Sequence, residues 1–303
     1  MIDFRPFDPA NKEAYDRLLQ SAGERGCEYS FVNLYLWGRQ SAAFLQDHLV
    51  FFSQFHRRSV YLFPVGFGDK KAVLDAVIAD ARERGIPCRF TGMTQDDCAL
   101  VERLYPGKFH YHYDRDGFDY VYAIEDLAEL KGKKFQKKRN HLNRFWAENP
   151  DAVLEPLGDE NCAQAAELVE AWYRLRLEAD PLADFQMEQT AIKKALVHRK
   201  ELALEGMLLR RGSEYVAMTM GSRLNPNTFD IHFEKALDIA DGAYAAINNG
   251  FAKYLREKYP EIRFLNREDD MGLEGLRKAK MSYNPHHMIE KNWACLLEDG
   301  YDY

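Results

Sequence analysis

No stretch of the 303-residue chain approaches the ~20 consecutive apolar positions that a helix needs to cross a bilayer. The N-terminal MIDFRPFDPANKEAYD also lacks the apolar core of a secretory signal. Both absences point to a soluble, cytoplasmic protein. Cysteine is sparse: Cys27, Cys88, Cys98, Cys162 and Cys295 are odd in number, scattered and without CxxC spacing. They predict neither a disulfide framework nor a zinc site, and no metal centre is expected. Positive charge is not in excess either. A formal charge of −7 excludes a surface that grips nucleic acid all round, while leaving room for a local basic patch. What is plentiful is apolar sequence: 46% hydrophobic residues over 303 positions can bury one large core or two ordinary ones.

The periodicities favour two. In the first half, Asn11 to Gln20 reads as a helix, and Phe44 to Ser53 and Ser59 to Val65 read as strands of a hairpin joined through Phe55, His56 and Arg57. Lys70 to Arg84 is a helix that Gly85 stops. Further strands at Pro87 to Thr91, Phe109 to Tyr113 and Phe118 to Ala123, with a helix at Asp96 to Tyr105, complete this half. The second half repeats the order of elements. Two helices, Asn161 to Leu177 and Met187 to Arg199, precede a meander of Leu202 to Arg210, Glu214 to Leu224 and Thr228 to Glu234. A helix from Ala243 to Lys258, N-capped by Asp241, is expected to bury Tyr244, Ile247, Phe251 and Leu255. A short strand ending at Leu265, a helix opening at Gly272 and a last strand from Met288 to Leu296 finish it. The expected division is an N-terminal domain over 1–125, a basic linker helix over 126–155 and a C-terminal domain over 156–303.

Four patterns carry candidate chemistry. In TFDIHFEK the period of two puts Asp230, His232 and Glu234 on one face of a strand, opposite Phe229, Ile231 and Phe233. Either the face lines a substrate cleft, with Glu234 as a base assisted by His232, or it points to water on a half-exposed sheet. Second, FLNREDDMGLEGLRKAKMSYNP (Phe264 to Pro285) ends a strand in polar residues, where α/β folds place ligand-binding groups, so Asn266 and Glu268 are expected to bind substrate. Lys280 and Tyr283 lie beyond the helix. The acids of this segment also suit a helix N-terminus, which makes an ordinary polar turn the alternative. Third, KGKKFQKKRNHLNRF presents Lys134, Lys137, Lys138, His141 and Arg144 as a helical stripe beside a packing side of Phe135, Leu142, Phe145 and Trp146, so it is either a phosphate contact or a solvated face. Fourth, Tyr29, Asn33 and Trp37 fall on one helical face, suited to an acceptor or amino-acid side chain, or else to an ordinary core. Asn248, on the buried side of its helix, requires a partner in the core or a ligand.

Cys27 to Gln40 (CEYSFVNLYLWGRQ), Phe118 to Phe145 (FDYVYAIEDLAELKGKKFQKKRNHLNRF) and the Phe264 to Pro285 segment resemble, in this order, the C-terminal domain family of phosphatidylglycerol lysyltransferases. The resemblance spans most of the chain. It implies an α+β (α/β) fold of two tandem acetyltransferase-like (GNAT-like) domains with mixed, mainly antiparallel sheets flanked by helices, shared with Fem-type peptidyltransferases. It further implies transfer of an aminoacyl or other acyl group, in the cleft between two such domains, to an amine or hydroxyl on a small molecule, peptide or lipid headgroup. No covalently bound cofactor is required. By analogy of fold, Tyr283 would protonate the leaving group. An acetyl-CoA enzyme of this fold carries a glycine-rich turn after the central strand to hold pyrophosphate. Here ALDIADGAY offers Gly242 alone with Asp238 and Asp241, which favours aminoacyl-tRNA over acetyl-CoA as donor. A binding module for a small molecule or RNA, and an acetyl-CoA-dependent N-acetyltransferase, are the competing functions.

Overall fold

Among the described residues, two sheets of seven strands each organise the chain. A computed structural model describes residues 1–38, 40–55, 58–237 and 241–297. The first part of the chain runs β1 (Arg5–Pro6), α1 (Lys12–Leu19), α2 (Phe31–Trp37), β2 (Gln40–Leu45), β3 (His48–Phe55), β4 (Arg58–Gly66), α3 (Lys70–Arg84), β5 (Arg89–Met93), α4 (Gln95–Leu104) and β6 (Phe109–Tyr113). Then follow β7 (Asp119–Ala123), α5 (Ile124–Glu129), α6 (Gln136–Glu148), β8 (Ala152–Pro156), α7 (Cys162–Ala179), α8 (Gln186–Val197), β9 (Glu205–Arg211), β10 (Glu214–Asn225) and β11 (Thr228–Ala236). The chain continues through α9 (Ala243–Lys258), β12 (Phe264–Asn266), α10 (Glu274–Met281), β13 (His287–Ile289) and β14 (Asn292–Leu296).

The sheets are ordered β1-β2-β3-β4-β5-β14-β6 and β13-β7-β12-β11-β10-β9-β8. β4 with β5 and β11 with β12 pair in parallel, while β1 to β4, β5 with β14, β14 with β6, β7 with β12 and β8 to β11 pair antiparallel. Two strands therefore sit in the opposite sheet from the one expected. Phe118 to Ala123 was expected to complete the first half, but β7 pairs with β12. The last strand was expected to finish the second half, but β14 inserts between β5 and β6. The compact units are interleaved accordingly: 1–119, 269–274 and 288–303 form one, 120–268 and 275–287 the other. The boundaries at 125 and 155 do not coincide with them, and α6, expected as a linker, lies within the second unit.

Buried polar groups account for the placement of β14. In the first unit Lys291, just before that strand, bonds to Asp119 Oδ1 at 2.6 Å and Glu28 Oε2 at 2.9 Å, with Cys27 Sγ 3.5 Å away. Burial works against this charge, but Asp119, Cys27, Glu28 and Asp269 outweigh it and hold Lys291 well above the ordinary lysine range. Asn292 donates to the Met93 carbonyl at 3.0 Å. The core of this unit gathers Val73, Val77 and Ala81 from α3 against Tyr61, Phe63 and Phe90 of the sheet. As expected, Gly85 caps α3 in the left-handed conformation.

Several local expectations need correction. The single strand Phe44 to Ser53 is two, because Gln46 and Asp47 take φ of +49° and +61° and turn the chain back tightly without a glycine. In the loop expected to follow, His56 and Arg57 lie outside the described residues. The helix expected at Gly272 begins at Glu274, Gly272 itself taking φ +73°. Gly242, not Asp241, caps α9, since Asp241 is engaged by Arg144, and Tyr244 is 39% exposed where burial was expected.

Removing the Lys291 ammonium leaves the wholly buried Asp119 carboxylate without its cation. Lys291→Met should therefore cost about 3–5 kcal/mol in urea unfolding. A loss below about 1 kcal/mol would mean that the cluster is not buried as described.

Candidate active site

β11 is the fourth of seven strands, so its faces are covered, and the alternation of TFDIHFEK has to place polar groups in the interior. Its parallel pairing with β12 spans only Thr228 to Asp230 against Phe264 to Asn266. Beyond that point β12 ends and β11 continues to Ala236. The parting of two parallel strands is where open α/β sheets place ligands. Here the residues immediately after β12 turn toward the edge of β11.

Arg267 Nη2 donates to Glu234 Oε1 at 2.8 Å, and Asn248 Nδ2, from α9, donates to Glu234 Oε2 at 3.2 Å. The Arg267 and Glu234 side chains are 13% and 12% exposed. Burial opposes the arginine charge, but Glu234, with the Tyr122 and Tyr283 hydroxyls, outweighs it and raises Arg267 above the ordinary arginine value. Among the described residues, Arg267 Nη1 and Asn248 Oδ1 have no hydrogen-bond partner, and neither does Thr219 Oγ1, whose residue pairs with Glu234 across β10. Two of these atoms belong to side chains that bond the Glu234 carboxylate, and the third to its cross-strand neighbour. A buried donor or acceptor left unmade costs about 1–3 kcal/mol, so such a grouping is typical of a binding site.

Tyr283 stacks beneath two cations. Lys138 Nζ lies 3.9 Å from its ring centroid and the Arg267 guanidinium 5.1 Å. Burial, with the Glu234 charge adding and Arg267 opposing, pushes the Tyr283 hydroxyl up to about 12, so it keeps its proton at neutral pH. Burial also lowers Lys138, helped by Arg267 and opposed by Glu234. Lys280 folds back from the end of α10 to donate to the Arg267 and Glu268 carbonyls, and Tyr122 Oη donates to the Lys280 carbonyl at 2.8 Å. Asn266 Oδ1 accepts from Glu268 N at 2.7 Å and helps hold Glu268 at φ +57°. Lys280 and Asn266 therefore shape the turn that presents Arg267 and Glu268.

The other two members of the strand face lie deeper. His232 Nε2 is 2.8 Å from Ser222 Oγ, and its Nδ1 lies 3.3 Å from Glu268 Oε1 and 3.6 Å from Asp230 Oδ2. The alternative that this face points to water is excluded, since the His232 and Asp230 side chains are 1% and 0% exposed. A bulge between Met220 and Gly221 sets Ser222 opposite Asp230.

The basic stripe and the N-terminal face fare differently. Phe135, Leu142 and Phe145 are buried as expected. Lys134 is paired with Asp126 at 2.8 Å, Arg144 with Asp241, and Lys138 with the Tyr283 ring, leaving Lys137 and His141 on the exposed side. Tyr29, Asn33 and Trp37 do not share one helical face. Ser30 caps α2 through Asn33 N, so Tyr29 falls in the turn before the helix. These residues belong to the first unit, and the Tyr29 hydroxyl lies 3.1 Å from the carbonyls of Phe63 and Gly92. Arg267, Thr219 and Ser222 were missed. Only Arg267 left a signal, as the one cation in the acidic run after Asn266.

Residues 19–295 match the family described as phosphatidylglycerol lysyltransferase, C-terminal, and the chain belongs to that family. Its fold is the tandem GNAT-like arrangement that the sequence led us to expect. A conserved protein of unknown function from Bacteroides thetaiotaomicron superposes with a TM-score of 0.93 at 37% identity, covering 98% of this chain and 100% of that one. L-PGS from Bacillus licheniformis matches with a TM-score of 0.68 at 18% identity, over 95% of this chain and 92% of that one. FemX matches at 0.62 and 11% identity, over 97% of both. Among curated proteins, the uncharacterised MYCGA3080 of Mycoplasmoides gallisepticum is 25% identical over 177 residues, 57% of this chain and 54% of that one. The chain thus spans about half the length of that relative. Among the described residues, no helix is long and apolar enough to cross a membrane.

If Glu234 and Arg267 are a coupled buried pair, Arg267→Met leaves an uncompensated carboxylate and should cost about 3–5 kcal/mol. Adding Glu234→Gln should restore most of that loss in chemical denaturation. Strictly additive losses would show that the two groups do not depend on each other.

Proposed function

We propose that the chain is an aminoacyltransferase, moving an aminoacyl group from a tRNA donor to an amine or hydroxyl acceptor. The observation that carries this reading is the pair of buried atoms beside Glu234, the Arg267 Nη1 donor and the Asn248 Oδ1 acceptor, which have no partner among the described residues. An aminoacyl ester supplies the complement of both: its carbonyl oxygen accepts from Nη1 and its α-ammonium donates to Oδ1. An acetyl group supplies only the first. The family description and the fold likeness to L-PGS and FemX support the same choice.

The roles follow from the chemistry of each group. The acceptor attacks the ester carbonyl and gives its proton to Glu234. Arg267 Nη1 stabilises the oxyanion that forms, in a buried site where such a contact is strong. The tetrahedral intermediate then collapses, and Tyr283, still protonated at neutral pH, gives its proton to the departing ribose oxygen. Lys280, Asn266 and Glu268 hold the turn that aims Arg267. His232 and Asp230 support Glu268 from below. Lys137 and His141, on the exposed side of α6, meet donor phosphates.

Glu234→Gln tests this reading, with aminoacyl-tRNA as donor and loss of the aminoacyl ester as the readout. Turnover should fall at least about 100-fold with donor affinity within a few-fold of wild type. Unchanged turnover removes Glu234 as the base. Binding without turnover in the wild type would favour a binding module instead.

A further inference from the structure

The geometry around His232 points to a second site: we propose that Asp230, His232 and Glu268 bind a divalent cation, zinc in preference to magnesium. One ligand atom from each residue lies within 4.8 Å of the other two. The Nδ1 of His232 faces both carboxylates, at 3.3 Å to Glu268 and 3.6 Å to Asp230.

These separations favour one of two accounts of the cluster. A protonated imidazole bonded to a carboxylate draws its oxygen to about 2.7–2.9 Å. Both distances here are longer. Ligands sharing one zinc at about 2.0–2.1 Å in tetrahedral geometry stand about 3.3–3.4 Å apart, which matches the spacing observed. The outer nitrogen is also set as a metal-ligating histidine requires. Nε2 is 2.8 Å from Ser222 Oγ, and when it carries the proton and donates to that hydroxyl, the lone pair of Nδ1 points at the two carboxylates. Three ligand atoms then converge in a place where Asp230 is wholly buried, close enough together to share one cation.

The ligand set also selects the ion. One imidazole nitrogen with two carboxylate oxygens suits zinc, whereas magnesium favours oxygen ligands and retains several waters. Two features keep the site accessible and shaped. Glu268, 19% exposed at its side chain, provides the way in. Its left-handed backbone is held by Asn266 Oδ1 at 2.7 Å and by Lys280 on its carbonyl at 3.1 Å. The bulge in β10 that brings Ser222 to His232 cannot close up around a side chain at position 221: a Cβ on Gly221 would meet the Asp230 carbonyl oxygen at 2.2 Å. None of its three ligands is given a proton-transfer role in the transfer reaction, and zinc loading is read without turnover, so the two proposals fail separately.

The test uses the full chain, stripped with a chelator and titrated with zinc chloride, with manganese and magnesium chlorides as parallel arms. Native mass spectrometry should find one zinc per chain, and the melting temperature should rise with zinc and remain unchanged with magnesium. Glu268→Gln, chosen because that side chain is partly exposed, should weaken zinc binding at least 10-fold while the stripped variant melts close to the stripped wild type. Ser222→Ala should weaken it about 10-fold through loss of the outer hydrogen bond. No stoichiometric zinc on the wild type, or unchanged affinity in Glu268→Gln, overturns the proposal.

Discussion

The buried pair of Glu234 and Arg267 is the interaction on which the candidate site depends. A carboxylate on the central strand of a sheet is unfavourable unless a cation reaches it, and the segment leaving β12 supplies one that bonds it directly. That requirement explains the rest of the segment. Lys280 anchors two carbonyls of the turn, Asn266 shapes its backbone, and Tyr283 lies under the guanidinium, so each acts on where Arg267 stands. A buried ion pair contributes little net stability compared with apolar packing, and its retention here fits a role in recognition.

On the proposed reading, the same arrangement separates two kinds of acyl donor. The Asn248 acceptor and the Arg267 donor, without partners among the described residues, would be met by a ligand with an ammonium beside a carbonyl. At the start of α9, Gly242 takes the left-handed cap and Asp241 is ion-paired with Arg144.

Much of the second unit was legible in the sequence because its signals are local. The period of two in TFDIHFEK identified the polar face, and the helical spacing of Ala243 to Lys258 put Asn248 on the buried side, where it meets Glu234. What could not be read depends on pairing between distant segments. Ser222 reaches His232 only through a bulge, Thr219 faces Glu234 only through the β10–β11 register, and Arg267 reaches Glu234 only because β12 stops short. The exchange of β7 and β14 is non-local in the same way, and at β14 it comes with the buried contacts of Lys291 and Asn292. At Gln46 and Asp47 the failure was of another kind: a tight turn without glycine leaves no composition signal.

The central claim is that the site reads an ammonium and a carbonyl together. The most direct measurement compares the affinity of the full chain for a non-hydrolysable 3′-aminoacylamido nucleoside with that for its counterpart lacking only the α-amino group. Loss of one buried hydrogen bond to a charged donor is worth about 1.5–3 kcal/mol, so the deaminated compound should bind at least about 10-fold more weakly. Equal affinity for the two compounds would contradict the account.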